Sequence, residues 1–135
     1  LNNFKSQNIN ILDNHSVMEQ HINIIGLSDN SSKKEKIKVF DSLFKPDCFN
    51  LLLVHQPSIW NLLKEKANLT LSGHTHNGQI FPFNLIVKLQ FPQIYGVYSY
   101  LKNYLYVSSG ASTWGPKIRI GSKNEILNIK LSTTS

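Results

Sequence analysis

Leu51-Leu52-Leu53-Val54-His55-Gln56-Pro57 and, further along the chain, Leu69-Thr70-Leu71-Ser72-Gly73-His74-Thr75-His76 are two short apolar runs that each end on histidine. The run from Phe49 to Val54 is unbroken, the pattern of a strand buried on both faces. Pro57 then suits the first turn of a helix, where its missing amide hydrogen costs nothing, and Ile59, Trp60, Leu62 and Leu63 supply that helix with an apolar face. Asn68 ends it, and Leu69 to Ser72 form the next strand. Strand, helix and strand in this order make a unit with parallel strands and a right-handed crossover. Parallel strands finish at the same edge of their sheet. His55, His74 and His76 are therefore expected to converge in the crevice where open α/β sheets bind ligands.

On the N-terminal side, Asn8 to Leu12 and Gln20 to Leu27 alternate isoleucine with polar residues and read as two strands joined through a turn near Asp13-Asn14-His15. Asp29-Asn30-Ser31-Ser32 offers caps for a helix carrying Ile37, Phe40 and Leu43 on one face, with Pro46 just past its end. Asp29 follows a strand and could reach the crevice; a capping role is the expectation for it. On the C-terminal side, Ile80 to Leu89 reads as a loop with a short helix. Val97 to Tyr100 and Tyr104 to Ser108 read as a hairpin turning at Leu101-Lys102-Asn103, and Lys117 to Ile120 and Glu125 to Leu131 as two more strands.

A chain of 135 residues with 41% hydrophobic and 16% charged residues has the makeup of one globular domain or part of one. No apolar run approaches the ~18 residues needed to cross a membrane, no targeting segment is visible, and the sequence assigns no compartment. The single cysteine, Cys48, excludes an internal disulfide and a cysteine-built zinc cage and reads as a half-buried structural thiol. A formal charge of +6 raises the question of an anionic partner. The densest basic stretch, Lys33-Lys34-Glu35-Lys36-Ile37-Lys38, nonetheless reads as a solvated helix face. Basic and aromatic residues do not interleave as a nucleic-acid platform would, so no nucleic-acid partner is indicated.

Neutral imidazole ligates zinc, iron, manganese and similar ions, and histidines two apart on an extended segment can present nitrogens to one ion or to two neighbouring ones. Gly73 and Gly78 let the backbone turn on either side. His74 and His76 alone read more readily as solvated loop residues than as ligands; His55 at a strand end strengthens the case for a metal site. His15 and His21 have no such setting and are expected on a turn or strand surface.

These residues resemble the calcineurin-like metallophosphoesterases, most closely their bacterial membrane-associated branch. In that family Gly-His-Thr-His-Gly-Gly-Gln follows a buried strand and Ser-His-x-Pro ends the strand before it. Gly73-His74-Thr75-His76-Asn77-Gly78-Gln79 and Val54-His55-Gln56-Pro57 match both motifs in order. Tyr106-Val107-Ser108-Ser109-Gly110, Pro116-Lys117-Ile118-Arg119 and Glu125-Ile126 are similar to the family's closing strands. The resemblance implies the C-terminal half of a four-layer αββα sandwich, spanning residues 1-135, within an α/β fold. It also implies divalent ions, two in the complete protein (Mn, Fe or Zn), with His55 and His74 on one and His76 on the other. Their chemistry would be hydrolysis of a phosphate-ester substrate by a bridging hydroxide.

The family's upstream Asp-x-His, Gly-Asp and Gly-Asn-His-Glu sequences do not occur here, and the chain starts at Leu1 rather than methionine. The expectation is a half-domain that is inactive alone, whose partner is the missing N-terminal half. A membrane association would come through that missing segment, and self-association through an exposed sheet edge. Val54, Asn77 and Asn124 replace the family's serine, glycine and proline; asparagine tolerates positive φ at position 77. The alternatives are a module holding one metal at the same three histidines, and a polyanion-binding module without catalysis.

Overall fold

The computed structural model describes residues 9–132. Its strands are β1 (His15–Glu19), β2 (Ile22–Gly26), β3 (Phe49–Leu53), β4 (Leu69–Ser72), β5 (Gly96–Tyr100) and β6 (Asn103–Val107). Its helices are α1 (Lys33–Leu43), α2 (Trp60–Leu63) and α3 (Phe83–Gln90), with 3-10 turns at Pro57–Ile59 and His76–Gly78. The strands form one sheet in the order β1-β2-β3-β4-β6-β5. The central β2, β3, β4 and β6 run parallel, and β1 and β5 close the two edges antiparallel.

The strand-helix-strand unit forms as expected: Pro57 opens the crossover and β4 lies parallel to β3. The sheet face that packs against helices carries an in-register row, Ile25, Leu52, Thr70 and Leu105. All four are fully buried. Phe40 of α1 and Ile59 and Leu63 of the crossover pack on this face, and Trp60 joins Leu105 and Val107 in a second cluster. Because both helices take the same side, β3 is not buried on both faces: Asn50 and Leu52 are buried, whereas Leu51 and Leu53 are only half-buried. Leu62 also departs from expectation, lying 57% exposed on the outer side of α2. The polar Asn50 is tolerated inside because its amide donates to the Lys45 and Cys48 carbonyls at 2.8 and 2.9 Å while its oxygen accepts from Asn23 at 2.8 Å.

The first hairpin falls later than the alternation suggests. Of the expected strand Asn8 to Leu12, Asn8 lies outside the described residues and Ile9 to Leu12 form no strand; β1 starts at His15 and turns at Gln20-His21, with Gln20 at φ 52°. Asn14, at φ 55°, does not join two strands. It ties this loop to the end of β2, accepting from the Ser28 amide at 2.9 Å and donating to the Ser31 hydroxyl at 3.2 Å.

Helix α1 starts at a capping box. The Glu35 amide donates to the Ser32 hydroxyl at 3.3 Å, and the Ser32 amide to the Glu35 carboxylate at 2.7 Å. Those Ser32 bonds hold the Glu35 carboxyl below the usual carboxylate range. Ser32→Ala is expected to cost about 1 kcal/mol of stability, read by denaturant unfolding. Asp29 is thus not the cap: its carbonyl accepts from Lys36 at 3.2 Å and its carboxylate sits 3.6 Å from the same ammonium. Lys36 is accordingly buried, whereas Lys33, Lys34 and Lys38 form the solvated face.

The second hairpin, β5–β6, and the short helix α3 lie where the sequence places them. Lys117 to Ile120 and Glu125 to Leu131 do not form strands. The one ladder contact there is an isolated parallel bridge between Ile80 and Ile120. Their alternation is strand-like, but among the described residues no strand lies alongside them, and Ile118, Ile120 and Ile126 stay exposed.

Candidate metal centre

The parallel strands end together, and their ends carry the chemistry. Asp29 comes shortly after β2, His55 after β3, Gly73-His74 after β4 and Ser109-Gly110 after β6. The Gly73 amide donates to the His55 carbonyl at 3.1 Å and the Ser108 amide to the Ser72 carbonyl at 2.8 Å, so the sheet's pairing continues into the site.

His74, His76, Asn77, Gly78 and Gln79 all have positive φ, between 50° and 70°. Four of them are not glycine, and each such residue is held in a sparsely populated conformation that the surroundings must impose. The restraints are visible. The Thr75 hydroxyl donates to the Ile94 carbonyl at 2.6 Å; the Gln79 carboxamide donates to the Trp114 and Pro116 carbonyls at 2.7 and 3.1 Å and accepts from the Trp114 amide at 2.6 Å. At Gly78 a Cβ would stand 2.3 Å from the backbone Cα of Asn84, so only glycine lets α3 pack against this loop. Asn77 adopts the positive φ that its asparagine makes tolerable.

The loop brings His74 Nδ1 to 3.0 Å from His55 Nε2, with the rings edge to face at 4.8 Å between centroids. The Phe91 ring also stands edge to face with His74, at 5.0 Å between centroids. Burial and then the neighbouring His55 push the His74 pKa below its ordinary value, against an upward pull from Asp29. His76 is also depressed, by burial and then by the Arg119 guanidinium. Both rings therefore favour the neutral form that ligates metals.

This geometry fits a metal at the first pair. Two nitrogens each about 2.1 Å from one ion and separated by 90–110° lie roughly 3.0–3.4 Å apart, and the observed nitrogens are 3.0 Å apart. The full triplet is not drawn together: among the described residues no three His, Cys, Asp or Glu side chains converge on an ion-sized position. His76 lines the same 780 Å³ cavity as His55 and His74, on the Arg119 side. His15 and His21 lie exposed on the first hairpin, as expected, and Cys48 is half-buried.

Arg119 had only a motif match in the sequence, and its position was not legible there. Its guanidinium donates to the carbonyls of His76 at 3.2 Å, Ser109 at 2.7 Å, Gly110 at 3.3 Å and Lys123 at 3.4 Å, and also to that of Ser112. One nitrogen approaches His76 Nδ1 at 3.3 Å. A single cation thus joins the histidine loop to the loops after β6.

Glu125 was likewise missed as a structural centre. Its carboxylate accepts from the Tyr95 hydroxyl at 2.7 Å and the Ser108 hydroxyl at 2.9 Å, beside a 550 Å³ cavity that also includes Asn77 and Ser109. Burial raises its pKa, but the hydroxyls of Tyr95, Tyr106 and Ser108 outweigh burial, and the net shift is downward. A depressed carboxyl pKa stabilises the fold above the unfolded value and loses that contribution as pH falls through the folded value. Glu125→Gln is therefore expected to lower the melting temperature at pH 7 and to weaken its fall as the pH drops below the ordinary carboxylate range. Parallel slopes for the two proteins across that window would refute this role.

No family model matches the chain, and no solved structure matches it. A metallophosphoesterase of Campylobacter jejuni is 40% identical over 134 residues, covering 94% of this chain and 36% of that protein. One from Helicobacter pylori is 38% identical over 138 residues, covering 92% of this chain and 36% of its own length. A bovine transmembrane protein with metallophosphoesterase domain is 41% identical over 90 residues, 64% of this chain and 20% of that protein. The chain belongs to the calcineurin-like metallophosphoesterase family. It spans about a third of the length of these bacterial relatives, and its six-stranded sheet with flanking helices is consistent with the C-terminal half of the family fold. No helix among the described residues is long and apolar enough to cross a membrane.

Proposed function

We propose that this chain supplies three histidine ligands to a two-metal phosphoesterase, His55 and His74 for one ion and His76 for the other. The observation that carries the reading is the His55–His74 pair, with two imidazole nitrogens 3.0 Å apart at the ends of adjacent parallel strands. Divalent ions held there supply Lewis acidity and an acidified water for displacement at phosphorus. The chain's own groups prepare for this. The strained loop from His74 to Gln79 fixes the direction of both imidazoles, and burial keeps them neutral. Phe91 packs edge to face against the His74 ring. Arg119 holds the carbonyl of His76.

Carboxylate ligands do not join these histidines among the described residues. The remaining ligands are assigned to an upstream half of the domain, without which the chain is inactive. The half-buried apolar face carrying Ile24, Leu51, Leu53 and Leu71 gives such a half a surface to cover. Self-association through an uncovered sheet edge is the corresponding expectation for the isolated chain. A module holding one metal by itself is less well supported, because only two of the three histidines meet at hydrogen-bond distance.

The test is hydrolysis of p-nitrophenyl phosphate by the intact protein after chelation and restoration with manganese, iron or zinc. Activity restored by at least one metal is expected. An intact protein that stays inert with all three sinks the reading.

A further inference from the structure

The cavity beside the histidines has two unlike ends. His55, His74 and His76 occupy one, and the remaining wall is built mainly by Ile80, Phe83, Ile86, Val87, Phe91 and Trp114. The polar side chains along that wall are largely committed. Thr75 bonds the Ile94 carbonyl, and the Gln79 carboxamide is engaged with Trp114 and Pro116. That leaves Gln90, at the last turn of α3, as the other polar side chain of the lining. A sugar or nucleobase placed here would lose its water and gain few hydrogen bonds in return, which disfavours polar substituents. At 780 Å³ the cavity lies within the usual range for small-molecule sites, about 300–1,000 Å³.

The helix that forms this wall is apolar well beyond the cavity. Its sequence, Phe83-Asn84-Leu85-Ile86-Val87-Lys88-Leu89-Gln90, carries a single charge and has no buried residue. Phe83, Leu85, Ile86 and Leu89 are 51 to 85% exposed. An apolar trough that ends on three histidines assigned to metal matches an amphiphile with an anionic head.

We propose that the substrate is a phosphate monoester or diester bearing a long alkyl or acyl chain. The phosphate lies at His55 and His74, and the hydrocarbon runs along Phe83, Ile86 and Val87. This inference rests on the phosphoesterase reading and names its substrate class.

The probes are ethyl, butyl and octyl phosphate, each below its critical micelle concentration. They are titrated into the metal-loaded intact protein, with binding followed by the fluorescence of Trp114, which lines the cavity and is 71% exposed. Each buried methylene should tighten binding about three- to fourfold. Partial burial of the chain still gives at least about 100-fold between ethyl and octyl phosphate. Val87→Asp and, independently, Ile86→Asn should flatten the series. His74→Ala should weaken every phosphate alike and leave the dependence on chain length intact.

A flat series in a protein that hydrolyses p-nitrophenyl phosphate overturns the substrate class alone. An intact protein with no hydrolysis under any metal overturns the phosphoesterase reading and this inference with it. Equal binding of octanol and octyl phosphate overturns the placement of the phosphate at the histidines. Capture on phosphatidylcholine vesicles that neither octyl phosphate nor His74→Ala changes assigns α3 to lipid-surface docking and overturns the inference. Vesicle capture that octyl phosphate competes away supports it, with membrane lipid as the source of the chain.

Discussion

His74→Ala is expected to weaken divalent-metal binding by the intact protein by at least about 100-fold and to remove metal-dependent hydrolysis. Loss of a group that merely supports a ligand already costs roughly 10–100-fold in metal affinity or activity, and His74 is assigned as a ligand itself. Its Nδ1 faces His55 Nε2 at 3.0 Å, so either ring alone leaves the ion with half of this pair. His55→Ala should match it, and the double variant should add little, because the two act as one unit. His15→Ala is the control: that ring lies on the exposed hairpin against the Asp13 carbonyl at 3.0 Å. Titration calorimetry with zinc or manganese reads the effect directly. Unchanged affinity in both single variants would remove the pair as a metal site.

The places of His55 and His74 at the strand ends could be read from sequence because the strands before them were plain. Leu51 to Val54 and Leu69 to Ser72 are short apolar runs bounded by a proline-started crossover, and parallel pairing then brings their ends together. The capped helix α1 was legible for a similar reason, since its signal is local: Ser32 and Glu35 sit at the spacing that a capping box requires. What failed depends on distant partners. Alternation in Lys117 to Ile120 and Glu125 to Leu131 shows which residues could line one face of a strand, but a strand exists only beside another strand. The first hairpin slipped because Ile9 and Ile11 are more hydrophobic than the residues of β1, whose outer position in the sheet requires little burial. Lys36 is buried because Asp29 meets it, a tertiary pairing that no helical periodicity reveals. Gln79 and Glu125 are the same case: their partners lie 35 and 30 residues away, at Trp114 and Tyr95.

Arg119→Ala is expected to have the largest effect of any substitution outside the histidines. The guanidinium reaches carbonyl oxygens in the His76 loop, in Ser109 to Ser112 and at Lys123, so its removal leaves several acceptors without their donor at once. Hydrogen bonds to a charged group contribute about 1.5–3 kcal/mol each where they are shielded. These are only partly buried and share one donor group, so the sum is far smaller than that product. The larger consequence is positional. His76 is held at φ 50°, and the Arg119 bond to its carbonyl is one of the restraints that keep it there. Without that bond the loop is expected to relax and carry the imidazole out of line with the other pair, lowering turnover of p-nitrophenyl phosphate by at least about 100-fold, while the affinity at His55 and His74 falls much less. Amide hydrogen exchange should quicken over His76 to Gln79 and over Ser109 to Ser112. Arg119→Lys separates charge from geometry. An ammonium keeps the positive charge beside His76 but has three donors on one nitrogen instead of five spread across a planar fork, and it cannot span three loops. Rescue by lysine of less than a tenth of the lost turnover would show that the fork itself positions His76. Full rescue would show that the charge alone suffices, and the positioning role would be lost.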